Sequence, residues 1–218
     1  MAYHKKPSVM KSSHNSFLYL FFLALLLAFI NPRNGQAQTV RTLSGHDEDV
    51  YSVAFTPDGE HVLSGSADLT IKLWETSTGQ LVRNFSGNDY TADFFDHKVK
   101  SVAFSPDGNY VLSGGDNGIK LWDRYTGNLV RTFPELKYNP ESLAFSPDGT
   151  QILSGSWDDT MNLWETDTGK FLRTFSGHGS SVESVAFSPD GTKVLSGSFD
   201  NTLKLWETAT GKLLRTFS

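Results

Sequence analysis

Two groups of residues have the types that hydrolases use: His46, Ser64 and Asp68, and again His178, Ser196 and Asp200. A histidine held by a carboxylate can take the proton of a serine hydroxyl and make it a nucleophile. In both groups a tryptophan follows the histidine by 28 residues, at Trp74 and Trp206. A separate acidic group, Asp89, Asp93 and Asp96, offers oxygen ligands of the kind Ca²⁺ takes, but its spacing matches no EF-type loop. Duplication weighs against catalysis. A reaction centre needs one copy and an oxyanion hole, whereas a polar group buried in every repeat needs only a hydrogen-bond partner.

The elements that must position these residues are themselves repeated. The run Ser-Val-Ala-Phe-Ser-Pro-Asp-Gly stands at Ser52–Gly59, Ser101–Gly108, Ser142–Gly149 and Ser184–Gly191, with Thr56 and Leu143 as its departures. Leu-Trp followed by an acid recurs at Trp74-Glu75, Trp122-Asp123, Trp164-Glu165 and Trp206-Glu207, so the tryptophans are 48, 42 and 42 residues apart. Such a period marks a repeat architecture. Within the first unit, Val50–Thr56, His61–Ser66, Thr70–Glu75 and Gln80–Phe85 read as four short strands. The apolar phase jumps between Val50 and Val53, which predicts a bulge. Pro57-Asp58-Gly59 and Thr78-Gly79 are turns. One four-stranded sheet cannot bury both faces alone, and radial stacking of such sheets, a propeller, solves that problem.

These two recurring runs, carried from Arg41–His46 to Arg215–Ser218, resemble the WD-repeat β-propellers. The expected fold is all-β: four four-stranded antiparallel blades, a propeller that is partial or completed by an oligomer. Only Trp122-Asp123 has the family's eponymous pair; the other three copies have Trp-Glu. The resemblance implies that the Ser/His/Asp sets are structural tetrads, in which Asp in the turn between second and third strands holds His, and Ser links His to the Trp indole. The complete sets are His46, Ser64, Asp68 and Trp74, and His178, Ser196, Asp200 and Trp206. The third unit has Ser154, Asp158 and Trp164 but Leu136 at the His position. The second has Asp116 and Trp122, a turn one residue short, and Phe95 at the aligned His position, with His97 two residues on.

Positions that differ between units are free to serve a partner. Trp157 and Phe199 share the slot before the turn Asp, where the other units carry Ala67 and Gly115. The family places this slot on the propeller's top face, together with the residues flanking the first-strand Val. Candidate partner-binding residues are therefore Tyr51, Lys98, Lys100, Glu141, Trp157, Glu183 and Phe199. Exposed aromatics beside mixed charges suit a protein partner. The alternative is that Trp157 and Phe199 cover a neighbouring loop. Gly87–His97, the longer loop behind the 48-residue spacing, joins the same face.

Residues 17–30 are an unbroken apolar run, short of the roughly 20 that span a bilayer. Lys5, Lys6 and Lys11 precede it, and Gly35-Gln36-Ala37 supplies small residues before a cut. This reads as a signal peptide, residues 1–37, cleaved after Ala37, with export from the cytoplasm. An uncleaved anchor is the alternative. The WD-repeat domain is then 38–218, with repeats about 44–85, 86–133, 134–175 and 176–217 and a leading outer strand 39–43. The whole chain has 19 basic and 24 acidic residues; without Lys5, Lys6, Lys11 and Arg33 the balance moves from −5 to −9. That disfavours nucleic acid and, after cleavage, anionic membranes as partners. There is no cysteine for a disulfide or thiolate site. No cofactor, metal or enzymatic activity is expected. The expected function is an exported protein-interaction scaffold; the alternatives are an extracytoplasmic propeller enzyme or carbohydrate binder, or a fragment of a longer WD-repeat protein. Four blades with one spare outer strand read first as such a fragment, then as a homo-oligomer that completes the ring, and last as a stand-alone unit.

Overall fold

Alternating β-branched and aromatic residues between Pro-Asp-Gly and Thr-Gly turns leave each repeat little choice but short antiparallel hairpins. The computed structural model describes residues 40–85, 98–134 and 138–218. Residues Arg41–Ser218 form one compact unit, to which the following refers. Its first sheet holds β1 (Val50–Phe55), β2 (His61–Ser66), β3 (Ile71–Glu75) and β4 (Leu81–Phe85). The second holds β5 (Val99–Phe104), β6 (Tyr110–Gly115), β7 (Gly118–Asp123) and β8 (Leu129–Thr132). The third holds β9 (Pro140–Phe145), β10 (Gln151–Ser156), β11 (Thr160–Glu165) and β12 (Phe171–Ser176). The fourth holds β13 (Val182–Phe187), β14 (Lys193–Ser198), β15 (Leu203–Glu207) and β16 (Leu213–Phe217). Each sheet is a four-stranded antiparallel meander in chain order. The register of β1 on β2 shifts between Val50 and Ser52, a bulge that recurs between Val99 and Ser101 and between Val182 and Ser184.

The Pro-Asp-Gly turns are locked locally. Thr56, Ser105, Ser146 and Ser188 each donate a hydroxyl to the Asp two residues on, at 2.5–2.6 Å. The same carboxylates accept the amides of Glu60, Asn109, Thr150 and Thr192. These bonds hold all four Asp carboxyls below the ordinary range, Asp190 at about 2.

The core lies between sheets rather than within them. Leu63, Ile71, Leu73 and Phe85 of the first sheet pack with Val99, Val102, Val111 and Trp122 of the second. The same positions meet between the second and third sheets, and between the third and fourth. Each junction sets a Phe edge-on to the next sheet's Trp: Phe85–Trp122, Phe133–Trp164 and Phe175–Trp206, with ring centroids 6.0–6.2 Å apart. Glycine makes the close approach possible. A Cβ on Gly65 would stand 2.6 Å from a Val99 methyl and 2.9 Å from a Val102 methyl. Gly155 receives Val182 and Val185 in the same way. Each junction also carries a hydrogen bond from an inner-strand amide to the preceding sheet's Ser: Val102 to Ser52, Leu143 to Ser101, Val185 to Ser142.

The inner strands β1, β5, β9 and β13 pack in that order, and β13 makes no comparable contact with β1 among the described residues. The sheets are therefore blades of an unclosed array. Val40–Leu43, expected as a leading outer strand, has no strand pairing, and Thr39 lies outside the described residues. The physical reason is that no preceding sheet in this unit offers it an edge.

Candidate functional site

In the first blade, β2 and β3 bring Ser64 and Trp74 side by side, and the turn between them carries Asp68. Trp74 Nε1 donates to Ser64 Oγ at 2.8 Å, and Ser64 Oγ lies 2.6 Å from His46 Nε2. His46 Nδ1 lies 2.8 Å from Asp68 Oδ2. The indole can only donate and the carboxylate only accept, so with the neutral imidazole the protons run indole to hydroxyl, hydroxyl to Nε2, Nδ1–H to carboxylate. The fourth blade repeats the chain, with Trp206–Ser196 at 2.9 Å, Ser196–His178 at 2.7 Å and His178–Asp200 at 2.7 Å. Asp68 also accepts the Thr70 hydroxyl and amide and the Asp47 amide; Asp200 accepts those of Thr202 and the Gly179 amide. Burial pushes both carboxyls up, but these hydrogen bonds outweigh it and hold both well below the usual carboxylate range.

The middle blades are partial. In the third, Trp164 Nε1 donates to Ser154 Oγ at 3.1 Å, and Asp158 accepts the Thr160 amide and hydroxyl. Leu136 lies outside the described residues. In the second, Trp122 Nε1 donates to Ser113 Oγ at 2.9 Å, so Ser113 fills a role that the sequence comparison left open. The turn that carries Asp116 is shorter than the one that carries Asp68. Gly115 pairs directly with Gly118, leaving a two-residue turn. Asp116 Oδ1 accepts the Asn139 side-chain amide of the third blade at 2.8 Å, and Oδ2 the Lys98 amide at 2.7 Å. That amide plays the part of the Asp47 and Gly179 amides, which follow His46 and His178. Phe95 and His97 lie outside the described residues, as do Asp89, Asp93, Asp96 and the rest of the long loop.

The candidate partner-binding residues gather along one edge of the array. The turn between second and third strands is tied there to the segment before the first strand: Ala67 N–H to Asp49 O, Phe199 N–H to Ser181 O. Lys98 of the second blade lies over the Tyr51 ring of the first, 5.1 Å from its centroid. Lys100 lies 5.1 Å over the Trp157 ring of the third blade and pairs with Glu141 at 2.5 Å. Glu183 accepts the Ser181 hydroxyl at 2.5 Å. Burial, with Glu183 and Asp116 nearby, raises the Glu141 carboxyl above its ordinary value despite Lys100. Trp157 and Phe199 are each 63% exposed, so neither serves as a cover for a neighbouring loop of the described chain.

A family model described as WD domain, G-beta repeat, matches residues 37–75, 79–123, 127–165 and 169–207. The chain belongs to the WD-repeat family. Its relatives include a Ribosome biogenesis protein BOP1 homolog of Drosophila grimshawi, 44% identical over 62 residues, 27% of this chain and 8% of that protein. The Vegetative incompatibility protein HET-E-1 of Podospora anserina is 56% identical over 39 residues, 18% of this chain and 3% of that protein. An uncharacterized WD repeat-containing protein of Synechocystis is 46% identical over 50 residues, 22% of this chain and 14% of that protein. The matched stretches thus cover a small part of each relative.

In this WD-repeat unit the Ser–His–Asp geometry has the hydrogen-bond order of a hydrolase but not its access. Ser196 is 0% exposed, and its oxygen already accepts an indole proton. In the first and fourth blades the arrangement fastens the turn after the second strand to the segment before the first, and so fixes the part of the edge that displays Phe199. Sequence comparison missed Ser113 because a deleted residue shifted the count, and missed Asn139 as the ligand of Asp116 because the contact crosses blades.

Proposed function

We propose that this WD-repeat chain is a non-enzymatic, exported scaffold that binds protein partners along the edge carrying Tyr51, Lys98, Lys100, Trp157 and Phe199. The single observation that carries the reading is the pair of aromatic side chains, Trp157 and Phe199, each 63% exposed, with Lys100 of the Lys100–Glu141 pair over the Trp157 ring. A large aromatic side chain packed under the lysine of a mostly buried ion pair has the makings of an interface anchor, because less side-chain freedom remains to be lost on binding. The buried serines support the non-enzymatic part. The basic, apolar and small-residue segments before Gln38 support export.

Two measurements test it. Partners captured by the wild-type bait from the extracytoplasmic fraction should fall at least about tenfold with Trp157→Ala and Phe199→Ala combined, the loss of one hot spot. Unchanged capture by the folded double variant refutes the edge. Residues 1–37 fused to a reporter should export it with the fusion peptide removed; retention inside the cell refutes export.

A further inference from the structure

We propose that the outer face of the first blade and the outer face of the fourth bind each other between two copies of this chain. The three junctions within the unit define what each face fits. At every junction one blade presents a bare glycine, a Leu, an Ile or Met, and a Phe; the next presents two inner-strand apolar residues and a Trp.

The fourth blade presents the first kind of face to solvent. Leu203 is 48% exposed where its counterpart Ile71 is 0%, and Leu195 and Phe217 are exposed where Leu63 and Phe85 are buried. Gly197, the counterpart of Gly65, has only Leu203 and Ser184 of its own blade within reach of a Cβ. The first blade presents the two inner-strand residues of the second kind, while its Trp74, 2% exposed, is already covered within the chain. Val53 is 53% exposed where Val102 is 6%, and Val50 is exposed where Val99 is buried. Hydrogen-bonding groups match as well. Ser184 of β13 stands where Ser52, Ser101 and Ser142 accept the next blade's amide, and Val53 stands where Val102, Leu143 and Val185 donate. Ser184 is exposed. An isolated apolar face could take many partners, but these two are the halves of one interface that the chain already builds three times.

One local change is needed. Leu43 lies near Gly79, 3.1 Å from its Cβ position, as Phe133 lies near Gly169 and Phe175 near Gly211. Phe217 of the second copy takes that place, and Leu43, in backbone without strand pairing, gives way. The contact joins unlike faces, so two copies form two identical contacts and an eight-bladed ring, within the range of known propellers.

Light scattering of the full chain at micromolar concentration should give twice the mass of one chain. Val53→Lys and Leu203→Lys lie on exposed positions, and each alone should give the single-chain mass with an unchanged circular dichroism spectrum. Their equimolar mixture should regain the doubled mass, because one of the two contacts in a mixed pair then joins two unaltered faces. A ladder of larger masses that both variants collapse supports the same contact without closure. A single-chain mass for the wild type overturns the proposal. A doubled mass in either variant alone, or a mixture that stays single, overturns it too.

Discussion

Asp68→Ala removes an acceptor from four donors at once, and the structure says which losses matter. The Asp47 amide is exposed and can turn to water. The Thr70 hydroxyl can rotate to another partner. His46 Nδ1–H keeps only the Thr70 hydroxyl oxygen, 3.1 Å away, because its side chain is 6% exposed and its other nitrogen is engaged by Ser64. Exchanging a carboxylate for that poorer acceptor at a buried donor costs about 1–3 kcal/mol. With a urea dependence of about 2–3 kcal/mol per molar, the unfolding midpoint should fall by roughly 0.3–1.5 M. The third blade offers an internal control. Asp158 holds the same turn through the Thr160 amide and hydroxyl, and no histidine is present at its partner position in the sequence. Asp158→Ala should therefore cost about 1 kcal/mol or less, the loss of a local capping bond. Tryptophan fluorescence in urea reads both variants, and far-UV dichroism shows whether strands unfold together. Equal midpoints for the two variants, or no shift for Asp68→Ala, refute the argument that the histidine-to-carboxylate bond stabilises the blade.

The depressed Asp68 and Asp200 carboxyls fix the sign of acid sensitivity: as pH falls below about 4 the unfolded chain takes up protons before the folded one. Their contribution is full above that pH and disappears as the folded carboxyls titrate. Melting temperature should drop between about pH 4 and 2, and less steeply in an Asp68→Asn, Asp200→Asn variant; parallel curves would contradict this. Gly155→Val should destabilise by several kcal/mol, on the order of an overpacked core, because its Cβ would meet the Val182 carbonyl and two valine methyls. Gly197→Ala, facing only its own blade, should change the stability of the single chain by about 1 kcal/mol or less in either direction, as thermal melts can check. Leu69 has a φ of 74°, where the corresponding turns of the third and fourth blades place Asp159 and Asn201. Leu69→Asn should gain up to about 1 kcal/mol by calorimetry, and a loss would show that its packing outweighs the backbone strain.

Much of the fold was legible because each repeat confirms the next. Pro-Asp-Gly and Thr-Gly fixed the hairpins, and β2 falls on His61–Ser66 as its sequence pattern indicates. The bulge near Val50 was visible as a phase jump. The two complete histidine sets were legible because all four residue types recur at the same spacing. Three things were not. Ser113 was hidden by a deletion that only the Gly115–Gly118 pairing resolves. The Asp116–Asn139 and Lys100–Trp157 contacts cross blades, and their partners are 23 and 57 residues apart with no periodic signal to join them. Val40–Leu43 has the sequence of an outer strand, but a strand exists only where another offers its edge, and that depends on tertiary context rather than on local propensity.

The three blade junctions share one set of knobs and sockets, and this has a consequence for how the array is read out during folding. Apart from polar contacts made at single junctions, such as Lys100–Glu141 and Asp116–Asn139, a face that fits any successor does not tell the second blade from the third or fourth. Order in the array is therefore set largely by connectivity: the covalent link to the next repeat makes the correct neighbour the most concentrated one. A tandem duplication of one repeat would insert without a mismatch in the apolar core. The same interchangeability carries a hazard, since at high concentration a blade of another molecule competes on equal terms with the rightful one.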